Sequence, residues 1–405
     1  MTEETILNSK TLVILTGSFP YGFGETFLEA EIAIISKYFE KIIILPEKKN
    51  ERIRRVPENV EIIQITFQES KWSEVIFSLF KYRSILKEFV ANSITRPGRN
   101  KVLLMNLKWA LSRKKAVEKS FPDLSSNHVF YSYWADHSAL SLCLLETDNI
   151  RLTRVHGWDA YEERHKYEYL PFRKFLLKKL DAIFSISEHA KNYLENKYGY
   201  KSKIAVSRLG VRAEKNLDLD AGRFNHMISM SNAVPLKRVG RIAKAFNLFR
   251  ESEIKWSHYG SGELLDDLVA KYGREYFKGQ LSNAQMLDEL NELKREAFLI
   301  NLSEYEGIPV SMMEAMSFGI PCIGTNVGGV GEIIENGVNG ILLSANPSED
   351  EVKQAIQRLL SMDSEEIKTM RQNARRTWER KFNAETNFKN FAEQLQSLQV
   401  HLWGH

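Results

Sequence analysis

The chain of 405 residues has only two cysteines and no long apolar run. Both features limit the kinds of protein that it can be. Its two cysteines, Cys143 and Cys322, lie far apart in apolar surroundings, which argues against a disulfide or a metal pair and favours free thiols in a reducing cytoplasm. No apolar run approaches the ~20 residues of a membrane-spanning helix. The polar start, MTEETILNSK, is not typical of a signal peptide. We therefore expect a cytoplasmic protein.

The chain also lacks an extreme of charge or composition. It carries a net charge of +4, with 43% apolar and 27% charged residues, which is typical of globular proteins. Its length allows two domains of about 200 residues, each able to bury a core. No Gly-x-Gly-x-x-Gly follows the first predicted strand, so a dinucleotide oxidoreductase is disfavoured.

The positive charge is concentrated in one stretch. Between Lys71 and Lys119 there are twelve Lys or Arg and three Glu, with aromatic residues at broadly helical spacing, and a second basic aromatic cluster covers Tyr167–Lys179. One interpretation is amphipathic helices that pack on a sheet and keep solvated basic faces. The other is a peripheral membrane surface attracted to anionic lipid at the inner face of the cytoplasmic membrane. No recognition motif accompanies the charge, so no nucleic-acid partner is expected.

Short apolar segments alternate with helical patterns in both halves, which predicts an α/β protein with two doubly wound parallel sheets. The first half contains the predicted strands TLVILTG (11–17), KIIILP (41–46), HVFYSY (128–133), RLTRVHG (151–157) and AIFSIS (182–187). The second half contains HMISMS (226–231), IKWSHYGSG (254–262), YFKGQLS (276–282), FLINLS (298–303) and CIGT (322–325). Between them the polar segment 213–223 is the predicted linker, and we interpret its Asp218-x-Asp220 as solvated and not as a metal site.

The segment Asn301–Ser344 carries two carboxylates, Glu306 and Glu314, in a predicted strand–loop–helix–strand unit. A helix starting near Pro309 presents unpaired N–H groups and a partial positive charge that suit a phosphate. Gly307 lets the backbone approach a ligand closely. Glu306 can reach a ligand held across the helix start, and Glu314 can accept two hydrogen bonds from a vicinal diol such as a ribose. Spacing alone leaves open that both glutamates lie on a solvated helix surface.

A second candidate loop, SFPYGFGE, follows the first predicted strand and contains Gly22, Phe23, Gly24 and Glu25. Its glycines could bring backbone amides to an anionic group. A single Gly-x-Gly is also ordinary turn chemistry, and this alternative stays open.

The phrase SEYEGIPVSMMEAMSFGIPCIGTNVGGVGEII resembles the nucleotide-sugar signature of the retaining glycosyltransferases of family 4, which adopt the GT-B fold. The resemblance implies two facing Rossmann-like domains with a cleft between them. It implies that Glu306 faces the donor sugar and Glu314 binds the ribose. The diphosphate would lie on the backbone of the residues after Glu306, namely Gly307, Ile308, Pro309, Val310 and Ser311.

The same resemblance extends to other positions of the second half. Lys237 falls where the family carries a phosphate-binding lysine, and Asn232 stands where the family usually has an arginine. Arg238 is the alternative cation, although adjacent residues of a helix point in different directions. Gly260, Gly279 and Gln280 lie in segments that resemble the family's loops around the phosphate and base, which implies that they take part in donor binding.

In the first half, GSFPYGFGETFLEAEI resembles the opening of bacterial polysaccharide transferases, whose loop faces the cleft. TRVHGWDAYEERH resembles the acceptor-domain motif, which implies that His156 approaches the donor sugar and that Asp159 shapes the acceptor site. Trp134 follows another predicted strand and joins this set.

These observations predict a retaining, metal-independent, hexosyltransferase-type enzyme without a cofactor. It would use a nucleotide sugar, a UDP-sugar before a GDP-sugar, and a lipid-linked or oligosaccharide acceptor in bacterial surface polysaccharide or lipopolysaccharide synthesis. The alternatives are a nucleotide-sugar epimerase of GT-B fold and a non-catalytic sugar-nucleotide-binding partner protein. The predicted domains are 1–212 for the acceptor, 224–382 for the donor, and a tail, 383–405, that crosses back to the first domain.

Overall fold

The computed structural model describes residues 11–22, 24–51, 53–65, 68–124, 128–213, 219 and 222–403. The chain forms two compact units: residues 1–208 together with 388–405, and residues 209–387. Residues 209–212 belong to the second unit because Val211 is tied to its end, where Val211 N donates to Phe382 O at 3.0 Å and Ala384 N donates to Val211 O at 3.3 Å. Asp218 and Asp220 of the predicted linker lie outside the described residues.

The first unit contains a parallel sheet of seven strands in the order β3-β2-β1-β4-β5-β6-β7. The strands are β1 Thr11–Thr16, β2 Lys41–Pro46, β3 Val60–Ile62, β4 His128–Ser132, β5 Ile150–Val155, β6 Ala182–Ser185 and β7 Ile204–Val206. Its helices are α1 Phe27–Ile35, α2 Trp72–Lys81, α3 Arg83–Thr95, α4 Gly98–Ser120, α5 His137–Cys143, α6 Arg173–Lys179 and α7 Glu188–Tyr198. The central strands β1, β4 and β5 are almost entirely buried because helices cover both faces of such a sheet.

The second unit contains a parallel sheet of six strands in the order β10-β9-β8-β11-β12-β13. The strands are β8 His226–Met230, β9 Lys255–Tyr259, β10 Phe277–Gly279, β11 Ala297–Asn301, β12 Cys322–Thr325 and β13 Gly340–Leu343. Its helices are α8 Val239–Asn247, α9 Leu265–Tyr272, α10 Asn283–Leu293, α11 Val310–Ser317, α12 Val330–Ile333, α13 Glu349–Leu360 and α14 Ser364–Lys381. A last helix, α15 Ala384–Trp403, starts in this unit and belongs to the first unit from Phe388 onward.

Both sheets reverse their strand order at one place, and this places the candidate sites. The chain moves outward from β1 to β3 and returns to β4 on the other side of β1, and β8 and β11 have the same relation. In open α/β sheets, ligands bind outside the carboxyl ends of strands at such a reversal. The loops after β8 and β11 therefore meet in the second unit, and those after β1 and β4 meet in the first.

The predicted fold class, α/β with two Rossmann-like doubly wound domains of the GT-B type, is confirmed. Cys143 and Cys322 are both free and buried, as predicted. Burial raises the pKa of the Cys143 thiol to about 12. Of the helices in the described part of the chain, none combines the length and the apolarity that a bilayer crossing requires.

Candidate functional site

The carboxylate of Glu306 forms the centre of the site in the second unit. Its Oε1 accepts hydrogen bonds from Lys237 Nζ at 2.5 Å and from Asn301 Nδ2 at 3.2 Å. Glu306 is 8% exposed, so it lies at the sheet edge and not on a solvated helix surface. The ion pair joins the loop after β8 to the loop after β11, which is where the strand order reverses.

The backbone before α8 sends two adjacent cations to the same loop. Lys237 ends a short 3₁₀ turn, Pro235–Lys237, and Arg238 has a left-handed φ of 50°. Arg238 donates to Glu304 Oε1 at 2.7 Å while Lys237 contacts Glu306. The two side chains contact different carboxylates, but not because they are adjacent on a helix, since neither belongs to the helix, which begins at Val239.

The start of α11 has backbone donors without partners. Pro309 occupies the N-cap position and gives no side-chain cap. Within the described residues, the N–H groups of Gly307, Ile308, Val310 and Ser311 donate no hydrogen bond. Unpaired N–H groups at a helix start, together with the helix dipole, favour an anion. Lys237 and this helix start thus flank the same loop with positive potential.

Glu314 lies one turn inside α11 and is buried, with 8% of its surface exposed. Its Oε1 accepts a hydrogen bond from Asn283 Nδ2 at 2.7 Å. Burial raises the pKa of Glu314 to about 7, and the hydrogen bond from Asn283 opposes this only in part. A buried carboxyl group with one partner has further acceptor capacity, which hydroxyl groups of a ligand can fill. Sequence reasoning did not find Asn283.

The turn at Gly328 and Gly329 packs against the backbone of the Glu306 loop, a contact that sequence reasoning missed. Gly329 N donates to Gly307 O at 2.7 Å. Gly328 has a φ of 53°, and a Cβ at this position would lie 1.8 Å from Glu306 O. Only glycine fits such a backbone contact. The Gly-Gly pair in the sequence was the available signal for this contact.

The loops after β8, β9 and β10 are linked by their backbones. Gly260, with a φ of 151°, approaches so closely that a Cβ would lie 1.9 Å from Ser231 O, and its N–H donates to Gly279 O at 2.9 Å. Ser261 Oγ donates to Gln280 Oε1 at 2.7 Å. Asn232 is exposed on the neighbouring turn. The structure thus brings the predicted Gly260, Gly279 and Gln280 to the sheet edge that carries Lys237.

In the first unit, Glu25 closes the loop after β1 on itself. Its carboxylate accepts hydrogen bonds from the backbone N–H groups of Gly17, Ser18 and Phe19 at 3.0, 2.7 and 2.7 Å. The indole Nε1 of Trp134, after β4, donates to the same carboxylate at 2.6 Å. Three amides of this loop are therefore occupied by the chain's own carboxylate.

The glycines of that loop have local roles. Gly22 has a φ of 69°, which suits glycine. The carbonyl of Gly24 accepts a hydrogen bond from Arg54 Nη2 at 2.5 Å. Phe23, the other predicted residue here, lies outside the described residues.

His156 follows β5 and is enclosed by aromatic rings. Its ring centroid lies 4.6 Å from Tyr133, 4.5 Å from Trp134 and 6.0 Å from Phe27. The residue is 5% exposed, and within the described residues neither ring nitrogen has a hydrogen-bond partner. Buried polar atoms normally have partners, so the unpaired nitrogens mark a functional candidate.

Asp159 connects His156 to the turn after β4. Its Oδ1 accepts from His156 N at 2.6 Å, and its Oδ2 accepts from Ala135 N at 2.8 Å. The His156 Nδ1 and Asp159 Oδ2 atoms lie 3.8 Å apart. Burial alone would raise the pKa of Asp159, but the His156 ring and the Ala135 N–H outweigh it and lower that pKa. A charged Asp159 thus fixes the backbone at His156 and at Ala135, in the turn after β4.

Comparison with known sequences finds similarity to glycosyltransferases. The chain is 28% identical over 226 residues to an uncharacterized glycosyltransferase, MJ1178, of Methanocaldococcus jannaschii, covering 55% of this chain and 61% of that protein. It is 26% identical over 295 residues to the putative colanic acid biosynthesis glycosyltransferase WcaL of Escherichia coli K12, covering 67% of this chain and 70% of WcaL. The match thus spans less than two thirds of the first relative.

A solved structure shows the same fold. The crystal structure of Anabaena Alr3699/HepE in complex with UDP superposes with a TM-score of 0.63 at 14% identity, covering 96% of this chain and all of that one. Residues 216–377 match the family model described as glycosyl transferases group 1. Residues 216–377 of this chain are therefore similar to group 1 glycosyl transferases.

Proposed function

We propose that the protein is a retaining glycosyltransferase that moves a sugar from a nucleotide-sugar donor to a lipid-linked or oligosaccharide acceptor in bacterial surface polysaccharide synthesis. The observation that carries the proposal is the Lys237–Glu306 ion pair of 2.5 Å beside the uncapped start of α11. The names of relatives such as the putative colanic acid biosynthesis transferase WcaL support the pathway class. A UDP-sugar is the favoured donor, since HepE, which shares the fold, is solved with UDP.

The donor's diphosphate is proposed to lie on the N–H groups of Val310 and Ser311, with Lys237 as its cation. The ribose hydroxyls are proposed to donate to Glu314, whose carboxyl group is buried next to Asn283. Hydrogen bonds that involve a charged group contribute about 1.5–3 kcal/mol each. Two such bonds to one ribose would therefore make Glu314 a principal determinant of donor affinity.

The proposed chemistry is a front-face displacement. The acceptor hydroxyl forms a bond to the anomeric carbon on the side from which the phosphate leaves, and the carbon–oxygen bond to the diphosphate breaks. The hydroxyl proton passes to the leaving phosphate oxygen. Lys237 and the start of α11 stabilise the negative charge that develops on the diphosphate, and no metal is needed.

Glu306 and His156 are proposed to contact the transferred sugar. Glu306 is held in place by Lys237 and Asn301, so its carboxylate is preorganised for a sugar hydroxyl. His156 has two ring nitrogens without partners in the described part of the chain, and one of them can donate to a sugar oxygen. Such a contact would stabilise the oxocarbenium-like charge distribution of the transition state.

The test is an assay of the purified chain with a panel of UDP- and GDP-sugars and membrane-lipid extract, followed by mass spectrometry of the products. We expect transfer or donor hydrolysis by the native chain and its loss in Glu306→Ala. Glu335→Ala is the matched control, because Glu335 is an exposed glutamate of the same unit. Full activity of Glu306→Ala would contradict the proposed role.

We also propose that α2 rests on an anionic membrane surface during acceptor capture. Trp72, Ile76, Phe77 and Phe80 are 49%, 54%, 67% and 68% exposed and share one side of this helix, opposite its buried Val75. Such a row of exposed apolar residues marks an interaction surface. Exposed cations flank it, and among the described residues Lys71, Arg83 and Lys87 take part in no ion pair. Apolar and basic groups together suit anionic lipid.

Sedimentation with phosphatidylglycerol vesicles tests this surface. We expect the native chain to bind and the double variant Phe77→Ser, Phe80→Ser to stay in the supernatant. Phosphatidylcholine vesicles should bind less, since they lack negative charge. Equal binding of both proteins to both lipids would contradict the proposal.

A non-catalytic sugar-nucleotide-binding protein is the second candidate, and one observation favours it. Arg238 is engaged by Glu304 and by Ala345 O, and Asn232 is uncharged, so among the described residues Lys237 is the one cation in direct contact with Glu306. Nucleotide binding without turnover across the donor and acceptor panel would support this candidate and contradict the transferase.

A further inference from the structure

The first unit contains a cavity of about 300 Å³ that the proposed donor chemistry does not use. It is bounded by α4, by the turn after β4 and by the segment between β5 and α6. The residues that matter for its chemistry are Trp109, Trp158, Asp159, His165 and Arg173. All belong to the first unit, so the cavity is complete within one compact body.

Arg173 brings a buried cation to this cavity, near the carboxyl groups of Asp159 and Glu88. It is 6% exposed, its Nε has no hydrogen-bond partner, and within the described residues it forms no ion pair. The neighbouring carboxyl groups are already engaged: Asp159 accepts two backbone N–H groups, and Glu88 accepts from the Tyr169 hydroxyl and from Phe172 N. A buried guanidinium without partners is unfavourable, and an anionic ligand group would relieve it.

Two tryptophan rings lie at the same cavity and are open to solvent. Trp109 and Trp158 are 48% and 55% exposed, respectively. Trp158 is held by His165, whose ring centroid lies 4.2 Å away and whose Nε2 contacts Trp158 O at 2.6 Å. Burial lowers the pKa of His165, which keeps this support uncharged near neutral pH. Exposed aromatic faces suit the apolar C–H face of a sugar ring, and a few polar groups then fix its orientation.

The cavity adjoins the proposed catalytic histidine. Asp159 lies in its wall and accepts a hydrogen bond from the backbone N–H of His156 at 2.6 Å. A sugar held between the tryptophans and Arg173 would therefore lie next to the segment that positions His156. Because Asp159, in the wall of this cavity, is the residue expected to shape the acceptor site, we assign the ligand to the acceptor and not to the donor.

We propose that this cavity binds a sugar residue of the acceptor that carries a phosphate or a carboxylate, with its anionic group on Arg173 and its ring against Trp158. The acceptor role rests on the proposed glycosyltransferase function. Binding of an anionic sugar does not, and it can be measured on its own.

Saturation-transfer NMR on the full chain tests the proposal with glucose 6-phosphate, glucuronic acid and glucose as probes. We expect the two anionic probes to bind and neutral glucose to bind at least tenfold more weakly, which corresponds to one charge-assisted hydrogen bond. The phosphate and carboxylate arms show which group is preferred. Arg173→Gln and Trp158→Ala should each reduce anionic-probe binding at least tenfold. Arg55→Gln, at an exposed arginine of the same unit that does not line the cavity, should leave it unchanged.

UDP titration of the same samples separates this inference from the proposed function. We expect UDP affinity to be equal in all four proteins. Trp158→Ala removes an exposed side chain, so it keeps the test valid if Arg173→Gln does not fold. Anionic-probe binding that is unchanged in both variants, or equal binding of glucose, would overturn the inference even where UDP binds normally. Absence of UDP binding with intact anionic-probe binding would instead contradict the proposed function.

Discussion

Without a bound ligand, the Glu314→Gln variant should become more stable relative to the native chain as the pH rises. Burial raises the pKa of Glu314 to about 7 from its ordinary value of 4.5, so the folded state holds this proton more tightly than the unfolded state. As the pH rises from 4.5 to 7, ionisation of the Glu314 carboxyl group therefore lowers the free energy of unfolding of the native chain progressively. Above pH 7 this loss of stability is complete. At 1.36 kcal/mol for each factor of ten in proton affinity, the full effect is about 3 kcal/mol.

The assay is urea unfolding of the native chain and of Glu314→Gln at several pH values from 4.5 to 8.5. The readout is how the stability difference changes with pH, because the buried amide of glutamine adds a constant contribution of its own. We expect the variant to gain about 2–3 kcal/mol relative to the native chain across this range. A stability difference that is independent of pH would refute the reasoning.

Ionisation of the same carboxyl group lowers the stability of the native chain but should raise its affinity for UDP. If its ionised form accepts the ribose hydroxyls, only the ionised fraction binds, and UDP affinity should fall about tenfold from pH 8 to pH 6. Glu314→Gln should bind UDP at least tenfold more weakly at pH 8 and should lose the pH dependence. Calorimetric titration measures both. A variant that binds UDP as tightly as the native chain would contradict the ribose contact.

Three further predictions concern the donor site. Lys237→Ala should weaken UDP binding about 10- to 150-fold. Lys244→Ala, at an exposed lysine paired with Glu349, should bind UDP as the native chain does. Equal UDP affinities of the two variants would exclude Lys237 as the cation that binds the phosphate. Gly328→Ala should lower both the melting temperature and the UDP affinity because its Cβ would lie 1.8 Å from a backbone oxygen. Gly337→Ala, at a position with a φ of 78° and open space around it, should leave the UDP affinity unchanged. An equal loss of UDP affinity in the two variants would show that the positive φ, and not the backbone contact, causes the loss. EDTA should leave transfer activity intact, and a loss restored by a divalent cation would contradict the metal-independent mechanism.

Elements whose ends carry local signals were predicted well from the sequence. The strand CIGT coincides with β12, Cys322–Thr325, because Gly-x-Pro precedes it and a polar turn follows. The helix predicted to start near Pro309 is α11, Val310–Ser317. The strands β3, β7 and β13 were missed, and each has only three or four residues and lies at an edge of its sheet.

The candidate site was predictable where it is local and not where it depends on distant pairs. The loop with Glu306 was visible in one segment, but its ion pair joins residues 69 positions apart. The contact between Glu25 and Trp134 spans 109 positions, and no spacing rule indicates it. Arg238 was expected in a helix, but it lies before the helix with a left-handed φ of 50°, and no glycine is present there to signal this conformation.

The most direct test of the central proposal is a crystal structure of the chain with UDP. The account predicts that the diphosphate lies within hydrogen-bond distance of the N–H groups of Val310 and Ser311, with Lys237 beside it and both ribose hydroxyls on Glu314. A UDP molecule bound elsewhere, or a ribose without contact to Glu314, would contradict it.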